Sequence, residues 1–309
     1  MAVMTLSSQT RHNLKRLFQR TKWFFTPLAL TFLLAATWQS RLIICDTLEH
    51  SLPVYFILAV LTWMAAQLLS PLFVRIVLNG CGTKVCYQQI LDLHLRYLPA
   101  RYIPGGIWHT VARVGGLHQL GVHSLNLSSF VILENLVALG VTLTAGGILV
   151  GFYQSGSFWQ PIGFLSAAIS LVVLIFCPMM LNRFILKTVG SVNCINYISS
   201  VIISTIFWFF ATMSFLLFIS SLPNSFVISD WLEIIGAYLF SWGMGFIAIF
   251  APQGVGIFEV VAADIMPTNL PFSALVALLA GFRLVVLIAD VLMWVGWFSW
   301  KFFKKSFSV

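Results

Sequence analysis

Arg101-Tyr102-Ile103-Pro104-Gly105-Gly106-Ile107-Trp108 and Ile249-Phe250-Ala251-Pro252-Gln253-Gly254-Val255-Gly256 interrupt two apolar stretches, one in each half of the chain. Both read Pro-x-Gly followed by a β-branched residue, with helix-like apolar sequence on either side. Proline removes a backbone donor and clashes with the preceding turn, and glycine tolerates non-helical dihedrals. In lipid, backbone groups freed in this way survive only where protein buries them or a wet cavity solvates them. Paired Pro/Gly interruptions in corresponding halves point to the binding site of a transporter built from inverted repeats.

The rest of the composition sets the solvent. The chain of 309 residues is 60% hydrophobic and 8% charged, with a mean hydropathy of +0.96, whereas a soluble domain carries roughly 25% charged residues. The fold class is therefore all-α, a polytopic integral membrane protein. The net charge of +8 reads as membrane topology rather than nucleic-acid affinity. Arg11, Lys15, Arg16, Arg20 and Lys22 precede a long apolar segment without a nearby small-residue cleavage site, which reads as an uncleaved signal anchor. Cys45, Cys81, Cys86, Cys177 and Cys194 contain no CxxC and are expected as ordinary reduced thiols.

Apolar runs of about 20 residues span a bilayer. They are expected over 23–44, 53–78, 126–150, 159–182, 196–220 and 271–299. Residues 86–120 and 231–267 surround the two breaks. Basic residues at the N-terminus, over 75–101, at Arg183 and Lys187, and at Lys301, Lys304 and Lys305 belong to the cytoplasmic side. The loops with Asp46 and Glu49, and with Asp230 and Glu233, then fall outside. Under this alternation each broken segment enters and leaves on one side, as a re-entrant hairpin folded at Pro-Gly. A single transmembrane domain, 23–300, is expected between a basic cytoplasmic segment 1–22 and a basic cytoplasmic tail 301–309. Within it, 53–150 and 196–299 form span–hairpin–span units of opposite orientation. Pro104 and Pro252 lie 148 residues apart, and the same offset carries Glu134 to position 282, beside Arg283. Two local alternatives stay open. Gln88, Gln89, Asp92 and Arg96 share a helical face, which also suits an interfacial helix, and 231–250 is long enough to span fully.

The segment Arg101 to Trp108 with Arg113, then Glu134, then Pro252-Gln253-Gly254-Val255-Gly256-Ile257-Phe258-Glu259, resembles the transmembrane domain of the lysylphosphatidylglycerol synthase/flippase family. The family carries a Tyr-x-Pro-Gly-x-x-Trp-like segment and a later Pro-x-Gly-x-Gly-x-x-Glu segment at similar spacing. The resemblance runs from about residue 20 to 300. It implies a bacterial inner-membrane location and a role in moving anionic or glycosylated lipids. No soluble aminoacyl-transferase domain follows the last span, so lipid aminoacylation is not implied. Gln253 stands where the resemblance would place a smaller residue.

A break at mid-depth exposes the N-terminus of the half-helix that follows, whose N–H groups and dipole favour an anion. Pro104, Gly105, Gly106 and Ile107 in the first segment, and Pro252, Gly254, Val255 and Gly256 in the second, are the candidates for a lipid phosphate. The bland alternative is a pair of packed, Pro-kinked helices. Ionisable residues inside spans cost about 2.5–3.5 kcal/mol on insertion scales, which singles out Arg113, Glu134, Glu259, Arg283 and Asp290. Arg113 and Arg283 are expected to hold a head group. Glu134 and Glu259 are expected to line a cavity, coupling protons or gating it. The structural alternative is an ion pair of Arg283 with Asp290 or Glu134. His109, just past the first break, could touch a phosphate or relay a proton. His94, His109, His118 and His123 match no HExxH pattern, so neither a metal nor another cofactor is expected. Gly147 and Gly151 form a small-xxx-small helix contact. No nucleotide loop or nucleophile elbow occurs.

The leading functional expectation is a flippase-like transporter of an anionic or polyprenyl-linked lipid. The alternatives are an intramembrane lipid head-group transferase using Glu134 or Glu259 as base, and a non-transporting partner of a glycosyltransferase or other envelope-biosynthesis enzyme.

Overall fold

The computed structural model describes residues 41–102, 107–184, 193–222, 230–248, 254–268 and 270–306, with parts of 31–39. The first expected span, 23–44, and the residues Pro104, Gly105, Gly106 and Pro252 therefore lie wholly or largely outside the described residues. Among the described residues there is no strand. The helices are α1 (Arg41–Glu49), α2 (Pro53–Gln67), α3 (Leu69–Gly80), α4 (Tyr87–Arg96), α5 (Trp108–Gln119) and α6 (Ser124–Tyr153). They continue with α7 (Trp159–Phe184), α8 (Cys194–Ser220), α9 (Trp231–Ile247), α10 (Ile257–Ile265) and α11 (Phe272–Ser306). A 3-10 turn, Leu98–Tyr102, follows α4.

Five of the described segments are long and apolar enough to cross a membrane: Pro53–Gly80, Ser124–Tyr153, Trp159–Arg183, Cys194–Ser220 and Phe272–Lys304. The chain is a multi-pass membrane protein. The arms beside the breaks are shorter. The 10 residues of α4, 12 of α5, 17 of α9 and 9 of α10 each fall short of the ~30 Å hydrocarbon core at ~1.5 Å per residue.

Proline shapes two of the spans, and a tyrosine hydroxyl binds a carbonyl at each. Pro71 cannot donate to the carbonyl four residues back, so the first span breaks at Leu68 into α2 and α3. Pro71 leaves the Gln67 carbonyl without its helical donor, and at the next residue the Tyr87 hydroxyl donates to the Leu68 carbonyl at 2.9 Å. Pro178 inside α7 likewise releases the Leu174 carbonyl, which the Tyr197 hydroxyl of α8 satisfies.

Helix α6 is the axis of the packing. Its glycines let backbones approach on two sides. A Cβ on Gly147 would lie 2.5 Å from the Gly163 carbonyl oxygen of α7, and one on Gly163 would lie 2.8 Å from the Gly151 nitrogen. The small-xxx-small reading of Gly147 and Gly151 is thus a helix contact. On the other side, a Cβ on Gly146 would meet the Phe240 backbone nitrogen of α9 at 2.4 Å. That neighbour is backbone and cannot rotate away. Gly146→Val is expected to separate α6 from α9 and to lower the yield of monodisperse protein severely. Native-like size-exclusion behaviour for Gly146→Val would refute this packing.

The two broken segments meet opposite ends of α6. The first runs through α4 and α5 and leaves into the first turn of α6. There the Asn126 amide donates to the Cys81 carbonyl at 3.2 Å and to Thr83 Oγ1 at 2.7 Å, both at the end of α3. The second begins and ends at the far end of α6. The Gln154 amide donates to the Glu233 carboxylate in the first turn of α9 and to the Ile265 carbonyl at the end of α10, each at 2.9 Å. One residue thus holds both ends of the second segment, so α9 and α10 form a hairpin and α9 does not span alone. The arms of that hairpin touch near its tip, where a Cβ on Gly254 would lie 2.8 Å from the Gly245 Cα.

Packing between the halves follows the same order. The first spans of the two units, α2–α3 and α8, pack together, and Ser214 of α8 donates to the Ala59 carbonyl of α2 at 2.7 Å. The second hairpin packs its α9 on α6, the span that follows the first hairpin. The first hairpin packs its α4 on α11, the span that follows the second.

Candidate functional site

Each hairpin is fastened to the span that follows it by an arginine–glutamate pair, and the charges are exchanged between the halves. In the first unit, Arg113 on arm α5 donates through Nη1 to Glu134 Oε1 on α6 at 2.8 Å. In the second, Glu259 on arm α10 accepts from Arg283 Nε on α11. The arm carries the cation in one half and the anion in the other.

The second pair does more than join two helices. Glu259 is 0% exposed. Its Oε1 faces Arg283, and its Oε2 accepts from the Gly256 N–H at 2.7 Å. Gly254 and Gly256 hold φ values of +66° and +86°, a region open to glycine at little steric cost. The chain can therefore turn sharply into α10 and bring Glu259 back over the N-terminus of its own helix, as in a capping box. This corrects two expectations. The anion at the start of α10 is the protein's own carboxylate, so the Gly256 N–H is already engaged. Glu259 does not line a cavity, because both of its oxygens are committed in the interior.

A third interior carboxylate ties the first hairpin to α11. Asp290, 1% exposed, accepts from Arg101 Nη1 and from the Tyr102 hydroxyl through Oδ2, both at 2.9 Å. Through Oδ1 it accepts from Gln67 Nε2, also at 2.9 Å. Gln67 is the last residue of α2 before the Pro71 kink. Arg283 and Asp290 are seven residues apart on α11, so the flanks of both breaks, Tyr102 from the first and Glu259 from the second, dock about two turns apart along one helix. The alternative ion pair of Arg283 with Asp290 or with Glu134 is not seen among the described residues. Arg283 faces Glu259, Asp290 faces Arg101, and Glu134 faces Arg113. Midway along α4, Asp92 meets Lys301 and accepts from Trp297 Nε1 at 2.8 Å.

Around the first pair, polar atoms gather inside the fold. Arg113 is 4% exposed and lies over the Phe130 ring, 5.1 Å from its centroid, a cation–π contact. His94 is 0% exposed and meets His109 edge-on with ring centroids 5.6 Å apart. His118 is exposed and faces the Val122 carbonyl, and His123 caps α6 through the Leu125 N–H. Among the described residues no three His, Cys, Asp or Glu side chains are placed to hold a metal ion. Between α5 and α6, beside Arg113 and Glu134 in sequence, lies a mainly apolar groove of about 580 Å³ lined by Val114, Gly115, His118, Leu127, Ser128 and Val131.

Sequence reasoning singled out Arg113, Glu134, Glu259, Arg283 and His109, and it missed the site roles of Arg101, Tyr102, Gln67 and His94. Gln67 carried a signal, as a lone amide in an apolar span four residues before a proline. His94 carried another, because it lies two residues from Asp92 and so roughly opposite the polar face of α4.

No protein-family model matches this sequence, and no curated protein is significantly similar to it.

Proposed function

We propose that this chain is a transporter that moves an anionic lipid, a phospholipid or a polyprenyl-linked sugar, between the leaflets of the bacterial inner membrane during envelope biogenesis. The carrying observation is the pair of broken segments at opposite ends of α6, each fastened by an arginine–glutamate pair of exchanged polarity. Two such hairpins give a site two gates, one facing each side, which is what alternating access by inverted repeats needs. Arg113 and Arg283 are the cations a phosphate-bearing head group would recruit, each by loosening its glutamate. Glu134 and Glu259 reclaim the arginines when the head group leaves, and so act as latches. The apolar groove between α5 and α6 gives acyl chains a place beside the Arg113–Glu134 pair. The resemblance of the two Pro-Gly segments to those of the lysylphosphatidylglycerol synthase/flippase family supports the same reading. Both termini are cytoplasmic in this arrangement, and an envelope-biosynthesis enzyme is the partner class that would use the product.

The test is reconstitution into sealed vesicles containing a head-group-labelled phosphatidylglycerol, read by the fraction of label reachable by a membrane-impermeant quencher. Native protein should make the inner-leaflet label reachable, and Arg113→Gln should slow this at least about tenfold, the loss of one charge-assisted contact of about 1.5 kcal/mol or more. Vesicles with native protein that behave like protein-free vesicles would sink the proposal. Product formation by the purified protein in detergent would replace it with a transferase.

A further inference from the structure

The interior ion pairs leave no charge to spare. Glu134, Glu259 and Asp290 are each answered by an arginine, Arg113, Arg283 and Arg101, and Asp92 by Lys301. Each pair sums to zero. Within this same region, four nitrogens are buried without a hydrogen-bond partner among the described residues: Nδ1 and Nε2 of His94, Nε2 of His109 and Nη2 of Arg113. A buried polar atom left unsatisfied forfeits its hydration without recompense. The two rings are in edge contact, and Arg113 follows His109 by four residues on α5, on the same helical face. Both imidazoles lie within electrostatic reach of Arg113 and Arg101.

We propose that His94, His109 and Arg113 Nη2 form a binding site for a phosphodiester anion, and that the site takes up one proton with each anion. The inference rests on the transport reading above and deepens it by assigning the coupling proton to an imidazole instead of a glutamate. A monoanion entering this region meets a net charge of zero, because the Arg113 charge already answers Glu134. It would sit uncompensated in a low-dielectric interior, which is strongly unfavourable. Histidine is the side chain whose ordinary titration lies near neutral pH. A proton taken from the bulk by one imidazole restores neutrality, and it turns a ring with one donor into a ring with two. Together with Nη2, those donors suit the oxygens of a phosphate. Two adjacent imidazolium rings would repel each other, so the stoichiometry is one proton.

Arg101 and Arg113 act on both rings, and like charges disfavour an imidazolium until an anion offsets them, which ties the proton to the anion. Both cations have carboxylate partners: Arg113 donates to Glu134 on α6, and Arg101 donates, with the Tyr102 hydroxyl, to Asp290 on α11. Asp92 and Lys301 cancel at the rim, and Arg96 on α4, Arg75 on α3 and His118 on α5 are exposed.

The experiment is titration calorimetry of the full chain in detergent with two probes, short-chain dioctanoyl phosphatidylglycerol and its deacylated counterpart, glycerophosphoglycerol. Each is measured in buffers of different ionisation enthalpy between about pH 6.5 and 8.5, on the alkaline side of ordinary histidine titration. A phosphodiester keeps its charge over that range, so any pH slope belongs to the protein. The expected result is uptake of about one proton per anion, with Kd rising about tenfold per pH unit. His109→Gln should remove or flatten the slope while leaving a folded protein. The native measurement stands without a variant, should the buried His94→Gln fail to fold. Binding of both probes identifies a free phosphodiester as sufficient, and binding of the lipid alone identifies a lipid head group. Binding that is equally tight across the range, without proton uptake, overturns the inference and leaves the transport reading intact. Failure of both probes to bind also overturns it, and the vesicle measurement then decides the transport reading separately.

Discussion

Asp290→Ala is expected to destabilise the protein by about 3–5 kcal/mol, the scale for breaking one side of a buried ion pair. Asp290 is an acceptor shared by three donors from two elements: Gln67 at the α2 kink, and Arg101 and Tyr102 at the end of the first hairpin arm. Alanine withdraws the acceptor from all of them at once. It also removes the interaction that fixes the Pro71 kink and the first hairpin to the same point on α11. Asp290→Asn should fall between native and alanine, since one amide oxygen can still accept from Gln67 or Tyr102 while the charge facing Arg101 is gone. The comparison that gives the result meaning is Asp92→Ala. Its partner Lys301 is half exposed, and an exposed pair contributes roughly 1 kcal/mol or less. Residual monodisperse protein after a temperature series, read for the native chain and these three variants, checks the order. An Asp290→Ala protein as heat-resistant as Asp92→Ala would show that the interior network does not hold the hairpin.

The contrast between what the chain announces and what it conceals follows from range. Pro-x-Gly in an apolar run is a local backbone event, and it is read correctly from the residues around it. The second hairpin, the five described spans and the Gly147–Gly151 contact were legible for that reason. Pairing is not local. Arg283 and Asp290, seven residues apart on one helical face, look like partners in sequence. At ~1.5 Å per residue they lie about 10 Å apart along the axis, too far for an ion pair, and their shared face sends them to different neighbours. The offset of 148 residues between Pro104 and Pro252 suggested Glu134 as a counterpart of Arg283. The structural correspondence is of roles instead, an arm residue with a residue of the next span. Because Arg113–Glu134 and Glu259–Arg283 exchange the sign at each place, a search for matching residues at a fixed offset passes over it. The capping role of Glu259 was hidden for a different reason. It depends on positive φ at Gly254 and Gly256, which the glycines permit but do not declare.

Double-mutant cycles at Arg283 should separate its true partner from the one suggested by sequence. Arg283→Gln leaves the Glu259 carboxylate buried, held by the Gly256 N–H but without its arginine, and a loss of about 3–5 kcal/mol is expected. Adding Glu259→Gln removes that charge while keeping an amide oxygen to accept from Gly256. The double variant should therefore recover much of the loss, with a coupling energy of about 0.5–3 kcal/mol, the range for residues in contact. Arg283→Gln with Glu134→Gln should instead be additive, since Glu134 faces Arg113 on another helix. Function is expected to part from stability in the same series. If Arg283 recruits the head group, the Arg283→Gln, Glu259→Gln protein will be well folded and still fail to move labelled lipid in sealed vesicles. A coupling to Glu134 as large as that to Glu259 would contradict the pairing. Full lipid movement in the stable double variant would reduce the pair to a fastening between α10 and α11, and would remove Arg283 from the transport site.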